Sequence, residues 1–310
     1  MPGTPRNGTD MALDPIQWFP GHMAKTRRLI AECLSQVDIV LELLDARIPR
    51  SSKNPEILKL TAGKPKLTLL NKASLADPSV SDAWLSHYAK TENEALLIDC
   101  VTGDGIAKIG DAVRKILAEK IAKNEAKGMT GRRLSAMIVG IPNVGKSSLI
   151  NRLAGSKRAK VENRPGVTTA KQWVSTSIGL SLLDTPGVLW PKFDEKTVGE
   201  NLALTGAIRD GVLDVETLAM TLCERLVGVC PALFFARYKL NPEDAEGRDG
   251  YDLLEMVGRK RGFLVSGGEV NMRRTAEMLL DEFRSGVIGR ISLERPARDL
   301  REKKGETAVC

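Results

Sequence analysis

Residues 140–147 read Gly-Ile-Pro-Asn-Val-Gly-Lys-Ser, a pair of glycines five positions apart followed at once by a lysine and a hydroxyl. That spacing suits a polyphosphate. The glycines let successive backbone N–H groups turn inward, and a helix starting at the lysine adds the positive end of its dipole. In such a loop Asn143, Val144, Gly145, Lys146, Ser147 and Ser148 surround the phosphates. Lys146 contacts the β- and γ-phosphates, and the Ser147 hydroxyl ligates Mg²⁺. Further on, Asp184-Thr185-Pro186-Gly187 supplies the complement: Asp184 holds Mg²⁺ through water and the Gly187 N–H senses the γ-phosphate. Between them lies Arg164-Pro165-Gly166-Val167-Thr168-Thr169. A threonine there ligates Mg²⁺ once the γ-phosphate is present; Thr168 is the expected ligand, with Thr169 the alternative.

A phosphate loop does not tell GTP from ATP. Asn71-Lys72-Ala73-Ser74 bears on the base. Its first two residues match the guanine-reading pattern Asn-Lys-x-Asp, whose carboxylate pairs with the N1–H and exocyclic amine of guanine. Ser74 offers one hydroxyl and no charge. Losing such a contact costs roughly 1.5–3 kcal/mol, or about ten- to a hundredfold in affinity. Asp77, three residues on, is a substitute only in a differently shaped loop. Asp99-Cys100-Val101-Thr102-Gly103-Asp104-Gly105 follows an apolar run, where a backbone N–H, here that of Cys100, is expected to meet the guanine oxygen. GTP is therefore the expected nucleotide. The base-reading residues precede the phosphate loop, the reverse of the ordinary order, and so the chain reads as a circular permutation.

Elements must carry these loops to one place. Apolar runs alternate with amphipathic stretches up to about residue 154, predicting a mostly parallel sheet with helices on both faces. Helices are expected at 23–35, 81–90, 105–124 and 146–153, the last stopped by Gly155. Strands are expected at 38–44, 66–70, 95–98 and 135–139, and a hairpin of 172–177 with 180–184 delivers Asp184. The polar, basic stretch 123–133 suits the seam of a permuted domain. Beyond residue 199 only helices are predicted: 214–227, 232–240, 249–261 and 269–284. The expected division is a disordered leader (1–15), a nucleotide-binding domain (16–198), a helical domain (199–294) and a charged tail (295–310). The leader lacks the apolar centre of a secretory signal, and no apolar run approaches the roughly 18–20 residues of a membrane span. The five cysteines show no metal-ligand spacing, and a reducing cytoplasm is the expected compartment. With 46 Lys and Arg against 39 Asp and Glu, a net charge of +7 favours a polyanionic partner.

Taken in order, these motifs resemble those of the circularly permuted ribosome-assembly GTPases, specifically the ribosome biogenesis GTPase A family. Trp18-Phe19-Pro20-Gly21-His22-Met23, Asp45-Ala46-Arg47-Ile48-Pro49 and Gln172-Trp173 share in the likeness. So do residues 184–191 and Asp281-Glu282-Phe283-Arg284-Ser285-Gly286. The resemblance runs from about residue 16 to 294, with Ser74 and the leader as departures. It implies a permuted P-loop GTPase domain followed by a small all-helical domain that contacts rRNA. It also implies binding to the large ribosomal subunit late in its assembly and hydrolysis of GTP to GDP; a monomer without membrane association is expected.

Hydrolysis is where the residues leave choices open. Val188 occupies the position after Gly187 where many GTPases place a water-orienting glutamine. Either turnover is slow alone or another group completes the site. His22, after Pro20-Gly21, is the candidate that the family also suggests; a structural or RNA-contacting histidine is the alternative. Asn143 resembles the asparagine that helps hold K⁺ in potassium-activated relatives, or it shapes the loop only. Basic clusters at 25–28, 132–133, 157–158, 259–261 and 273–274 are candidate RNA contacts or plain solvated surface. A competing reading is a nucleotide-tuned RNA-binding module with little turnover.

Overall fold

The computed structural model describes residues 20–91, 94–155, 172–185, 187, 189–190, 193, 195–208, 210 and 214–296. The side chains of 20–26, 172 and 184 are not among them. In chain order the sheet-bearing part runs α1 (Pro20–Leu34), β1 (Ile39–Asp45), α2 (Pro55–Thr61), β2 (Lys66–Asn71), α3 (Pro78–Thr91) and β3 (Ala95–Leu97). It continues through α4 (Ile109–Ile116), α5 (Ala118–Glu125), β4 (Leu134–Val139), α6 (Lys146–Ala154), β5 (Gln172–Ser175) and β6 (Leu180–Asp184). The helices that follow are α7 (Lys196–Leu204), α8 (Val215–Val229), α9 (Pro231–Tyr238), α10 (Gly250–Arg261) and α11 (Met272–Ser285).

The described strands form a six-stranded sheet in the order β3-β2-β1-β4-β6-β5, parallel except for β5. Every residue of β1 is buried, as expected for a central strand covered on both faces. Chain order reverses between β1 and β4, where Ile39 pairs with Ala136 and Glu42 with Val139. Loops leaving the carboxyl ends of parallel strands diverge at such a point and open a crevice. Asp45, Asn71, the loop after β3, the phosphate loop after β4 and the turn after β6 all leave from that edge.

Several expectations of detail are corrected. The single helix predicted over 105–124 is a short 3₁₀ turn (Ile106–Lys108), then α4 and α5, broken at Leu117. Leu117 is 2% exposed, so its side chain is drawn into the core where the axis bends. Helix α11 starts at Met272, not 269, because the Asn271 side chain caps it by accepting from the Arg274 N–H, while Val270 bridges to Leu264. Helices α2 and α7 were not foreseen. Asn54 caps α2 through the N–H groups of Glu56 and Ile57, with Pro55 at its first position.

Helices α8, α10 and α11 pack on one another through Leu218, Leu222, Leu226, Leu254, Val257, Leu279 and Phe283. One half-buried acid ties this array together. Glu282 accepts from Arg237 (2.9 and 2.6 Å), Arg261 (3.0 and 3.2 Å) and the Tyr238 hydroxyl (2.9 Å). Burial would raise the Glu282 carboxyl, but these donors outweigh it and hold it below the usual range.

Candidate functional site

The phosphate loop leaves β4 through Gly140 and enters α6 at Lys146. Gly145 has φ 108°, and a β-carbon there would lie 2.3 Å from Asn71 Nδ2. Only glycine fits both the dihedral and the approach. Asn71, 2% exposed, joins three loops: Nδ2 donates to the Val144 carbonyl (2.7 Å), and Oδ1 accepts from the Cys100 N–H (3.0 Å). One side chain thus brings the base-reading residues, the phosphate loop and the loop after β3 into one crevice, although Asn71 precedes Val144 by 73 positions. The Cys100 N–H assigned from sequence to the guanine oxygen is the one donated to Asn71. Burial pushes the Cys100 thiol up to about 12, so it stays a neutral thiol.

Lys146 is 8% exposed and folds back over the loop, with Nζ donating to the carbonyls of Gly140 (3.1 Å) and Ile141 (2.7 Å). The turn after β6 closes on it: a β-carbon at Gly187 would stand 2.7 Å from Lys146 Nζ and 2.9 Å from Pro142 Cα. Ser147 and Ser148 begin α6, both half-buried, and Val144 is fully buried beside them. Asn143 takes a left-handed φ of 56°, and its Nδ2 donates to the Gly206 carbonyl just beyond α7 (2.8 Å).

Lys72 also sits in the left-handed region, φ 62°. Its Nζ reaches Asp45 Oδ2 at 3.0 Å. Arg47 meets the same carboxylate from Nε (3.0 Å) and Nη2 (2.8 Å), and its Nη1 finds no acceptor among the described residues. Asp45 and Arg47 are each 1% exposed. Burial would raise the Asp45 carboxyl, but the two cations outweigh it and hold it far below the carboxylate range. Burial draws the Lys72 ammonium down from its usual value, opposed by Asp45.

Ser74 is exposed, whereas its partner Asp99 is 2% exposed. Asp99 Oδ2 accepts from the Ser74 N–H (3.1 Å) and hydroxyl (2.5 Å), and Oδ1 from the N–H groups of Val101 (2.7 Å) and Thr102 (3.0 Å). Burial would raise this carboxyl too, but those donors hold it below its ordinary value. Ala73 donates its N–H to the Ile98 carbonyl (3.2 Å), locking the base loop to the strand end beside it. Asp77 is engaged elsewhere. Its carboxylate caps α3 through Ser79 and Val80, which removes it as a substitute for Ser74.

Sequence reasoning missed the residues that hold these loops from behind. Arg152 on α6 donates to the carbonyls of Cys100 and Val101. Residues 290–294, past α11, lie along the base loop. Arg290 donates to the carbonyls of Ala73 and Ala76 (2.9 Å each), and Ile291 N–H to that of Leu75 (2.8 Å). Ser292 Oγ accepts from Asp77 N–H (3.1 Å), Leu293 N–H meets the Arg47 carbonyl (2.9 Å), and the Glu294 carboxylate receives Arg50, Ser51 and Asn201. No spacing rule connects such distant partners. The Asp45-x-Arg47 pair at the end of a buried strand was the one signal in the sequence. Thr168, Thr169 and Val188 fall outside the described residues, and His22 and Asp184 are placed by backbone only.

Of the basic clusters, Arg27 pairs with Glu56, Arg28 with Glu32, Arg259 with Glu255, Arg261 with Glu282 and Arg273 with Glu277. Arg274 lies over the Phe263 ring. Exposed Arg133 and Lys260 meet no carboxylate among the described residues, and 157–158 lie outside them.

Comparison with known proteins agrees with this geometry. Residues 135–224 match a family described as 50S ribosome-binding GTPase. The chain is 47% identical over 285 residues to the ribosome biogenesis GTPase A of Priestia megaterium, covering 91% of this chain and 97% of that one. It is 47% identical over 283 residues to the protein of the same name from Bacillus licheniformis, covering 91% and 98%. Among solved structures it is similar to GNP-bound YlqF from T. maritima, with TM-score 0.60 and 26% identity over 88% of this chain and 99% of that one.

Proposed function

This chain belongs to the ribosome biogenesis GTPase A family, and from that premise we propose that it binds the large ribosomal subunit late in assembly and leaves on GTP hydrolysis. The observation that carries the nucleotide half of this reading is the Asn71 side chain. It bridges the base loop and the phosphate loop across the permuted order. The ribosomal half is carried by the relatives' names and by the matched family's description as 50S ribosome-binding.

The residues suit Mg²⁺ as well as GTP. The Gly187 turn, which follows β6, packs against Lys146, and Ser147 is the next residue of α6. Ser147, Thr168 and Asp184 would hold the ion, which when bound neutralises charge on the β- and γ-phosphates. The ammonium of Lys146 would exchange its two carbonyl partners for phosphate oxygens, and the Gly187 N–H would meet the γ-phosphate. Asn143 would supply a ligand to K⁺ through its amide oxygen, since its nitrogen is given to Gly206. With Val188 unable to orient water, His22, in the first turn of α1, is assigned that task when the subunit is bound. Arg133 and Lys260, being exposed and unpaired with acids among the described residues, are the first candidates for rRNA phosphates. The site of action is the cytoplasm, and the acting form is a monomer.

The test is GTP turnover by the purified chain with and without large subunits, alongside co-sedimentation with GTP or GDP bound. Stimulated turnover, lost in His22→Ala with GDP binding intact, and GTP-favoured co-sedimentation are expected. Unstimulated turnover with equal co-sedimentation of both forms would favour a nucleotide-tuned RNA-binding module instead.

A further inference from the structure

We propose that Ser74 and Asp99 together form the guanine-selecting device of this chain, the buried carboxylate turning the exposed hydroxyl into a pure acceptor. The inference rests on the guanine-nucleotide part of the reading above and on no part of the ribosomal one. A lone serine is a poor discriminator, because its hydroxyl rotates to donate or accept as the base requires. Ser74 lacks that freedom. Its proton is committed to Asp99 Oδ2 at 2.5 Å, a short, charge-assisted bond.

Asp99 cannot read the base itself. It is 2% exposed, and an ionised carboxylate has about four acceptor positions. All are taken, by the Ser74 N–H and hydroxyl on one oxygen and by the Val101 and Thr102 N–H groups on the other. The exposed partner is Ser74, and it stands in the base loop that Asn71 ties to the phosphate loop. Its remaining lone pairs project outward while its proton points in. Guanine offers the N1–H and exocyclic amine to such an oxygen, two donors meeting an acceptor. Adenine offers an unprotonated N1 in the corresponding place, acceptor against acceptor. The charge missing from the fourth position of the base motif is thus supplied one loop away, and the hydroxyl transmits it.

Asp99 is on this account a positioning residue, and base preference is a readout that a merely structural role would leave alone. The experiment measures Kd for fluorescent GDP and ADP, taken as a ratio, in four proteins: wild type, Ser74→Ala, Asp99→Asn, and the double exchange Ser74→Asp with Asp99→Ser. Wild type is expected to prefer GDP. Ser74→Ala keeps all three backbone N–H bonds to Asp99 and removes only the hydroxyl, so it should lose about tenfold of the preference. Asp99→Asn should lose a similar factor, because the new amide donates to Ser74 and frees the hydroxyl proton toward the base. The double exchange places the carboxylate at the front and should recover the preference. An unchanged ratio in Ser74→Ala, or no GDP preference in wild type, overturns the proposal. Failure of the double exchange to recover what Asp99→Asn loses overturns the part given to Asp99. None of these measurements involves ribosomes, so their failure is separate from failure of the subunit-binding reading.

Discussion

Asp45→Asn is the substitution that probes the charge balance behind the base loop. The wild-type carboxylate is 1% exposed and faces two cations, Arg47 at 2.8 and 3.0 Å and Lys72 at 3.0 Å. At about 3 Å and an effective dielectric of about 20, each contact contributes roughly 5 kcal/mol before desolvation is subtracted. Asparagine keeps the shape and removes the charge, leaving a fully buried guanidinium beside a largely buried ammonium. Breaking a buried pair in this way costs about 3–5 kcal/mol, a large share of the roughly 5–15 kcal/mol that holds a domain folded. Urea unfolding at pH 7 should therefore show a lower midpoint with an unchanged slope. Adding Arg47→Met removes one stranded cation and places an apolar chain against Phe283, over whose ring the guanidinium now sits at 5.5 Å. The double variant should regain about 1–3 kcal/mol over Asp45→Asn alone. If the two losses simply add, or if Asp45→Asn costs less than about 1 kcal/mol, the triad is not the balanced unit described here.

Three further outcomes follow from the same structure. Gly145→Ala puts a methyl 2.3 Å from Asn71 Nδ2 at a φ of 108°, so GDP affinity, measured by fluorescence titration, should fall by at least about tenfold. Glu282→Gln leaves half-buried Arg237 and Arg261 without their shared anion and should cost about 1–3 kcal/mol in urea, with the loss read first in helices α8–α11 by hydrogen exchange. Asp45, Asp99 and Glu282 all have folded-state carboxyls held below ordinary values. Their contribution is complete above the unfolded carboxyl pKa of about 4 and is lost as pH falls through the folded values. Tm should thus be level from pH 7 to 5 and drop below about 4, with a shallower drop in Asp45→Asn.

The legible parts of this molecule were those whose chemistry is local. The phosphate loop declares itself because glycine, lysine and hydroxyl must be neighbours to wrap a phosphate, and the strand before it and helix after it fell where the pattern put them. Asn71 was legible as a type of residue but not as a bridge, since its partner Val144 lies in another loop. Periodicity failed at Leu117, where a buried leucine, with no glycine or proline beside it, breaks α4 from α5. It also failed at α2, whose seven residues are too few to show a period although Asn54-Pro55 marked the start. Residues 290–294 were opaque for a different reason. They reach backbone groups of the base loop, from Ala73 to Asp77, and any sequence can present those.

The wiring of the helical array follows from this last group. Just past α7, the Gly206 carbonyl takes the amide of Asn143 from the phosphate loop. At its exit, Arg290, Ile291 and Ser292 hold Ala73 to Asp77 of the base loop, and Glu294 returns to Ser51 and Asn201. Between these two points Arg284 clamps α11 to the end of α7, donating to the carbonyls of Ala203 and Leu204 and, in a bidentate pair, to Asp210. The array is thus fastened twice, and each fastening ends on a loop that the proposed site assigns to a different part of the nucleotide. A permuted chain makes this possible. Its base loop comes early and its phosphate loop late, so a helical segment leaving the phosphate side can close back on the base side without crossing the sheet. Any change in how the phosphate loop is held has a direct path to the first helix of the array. The base loop, pinned by residues 290–294, supplies the fixed point against which that movement would be felt.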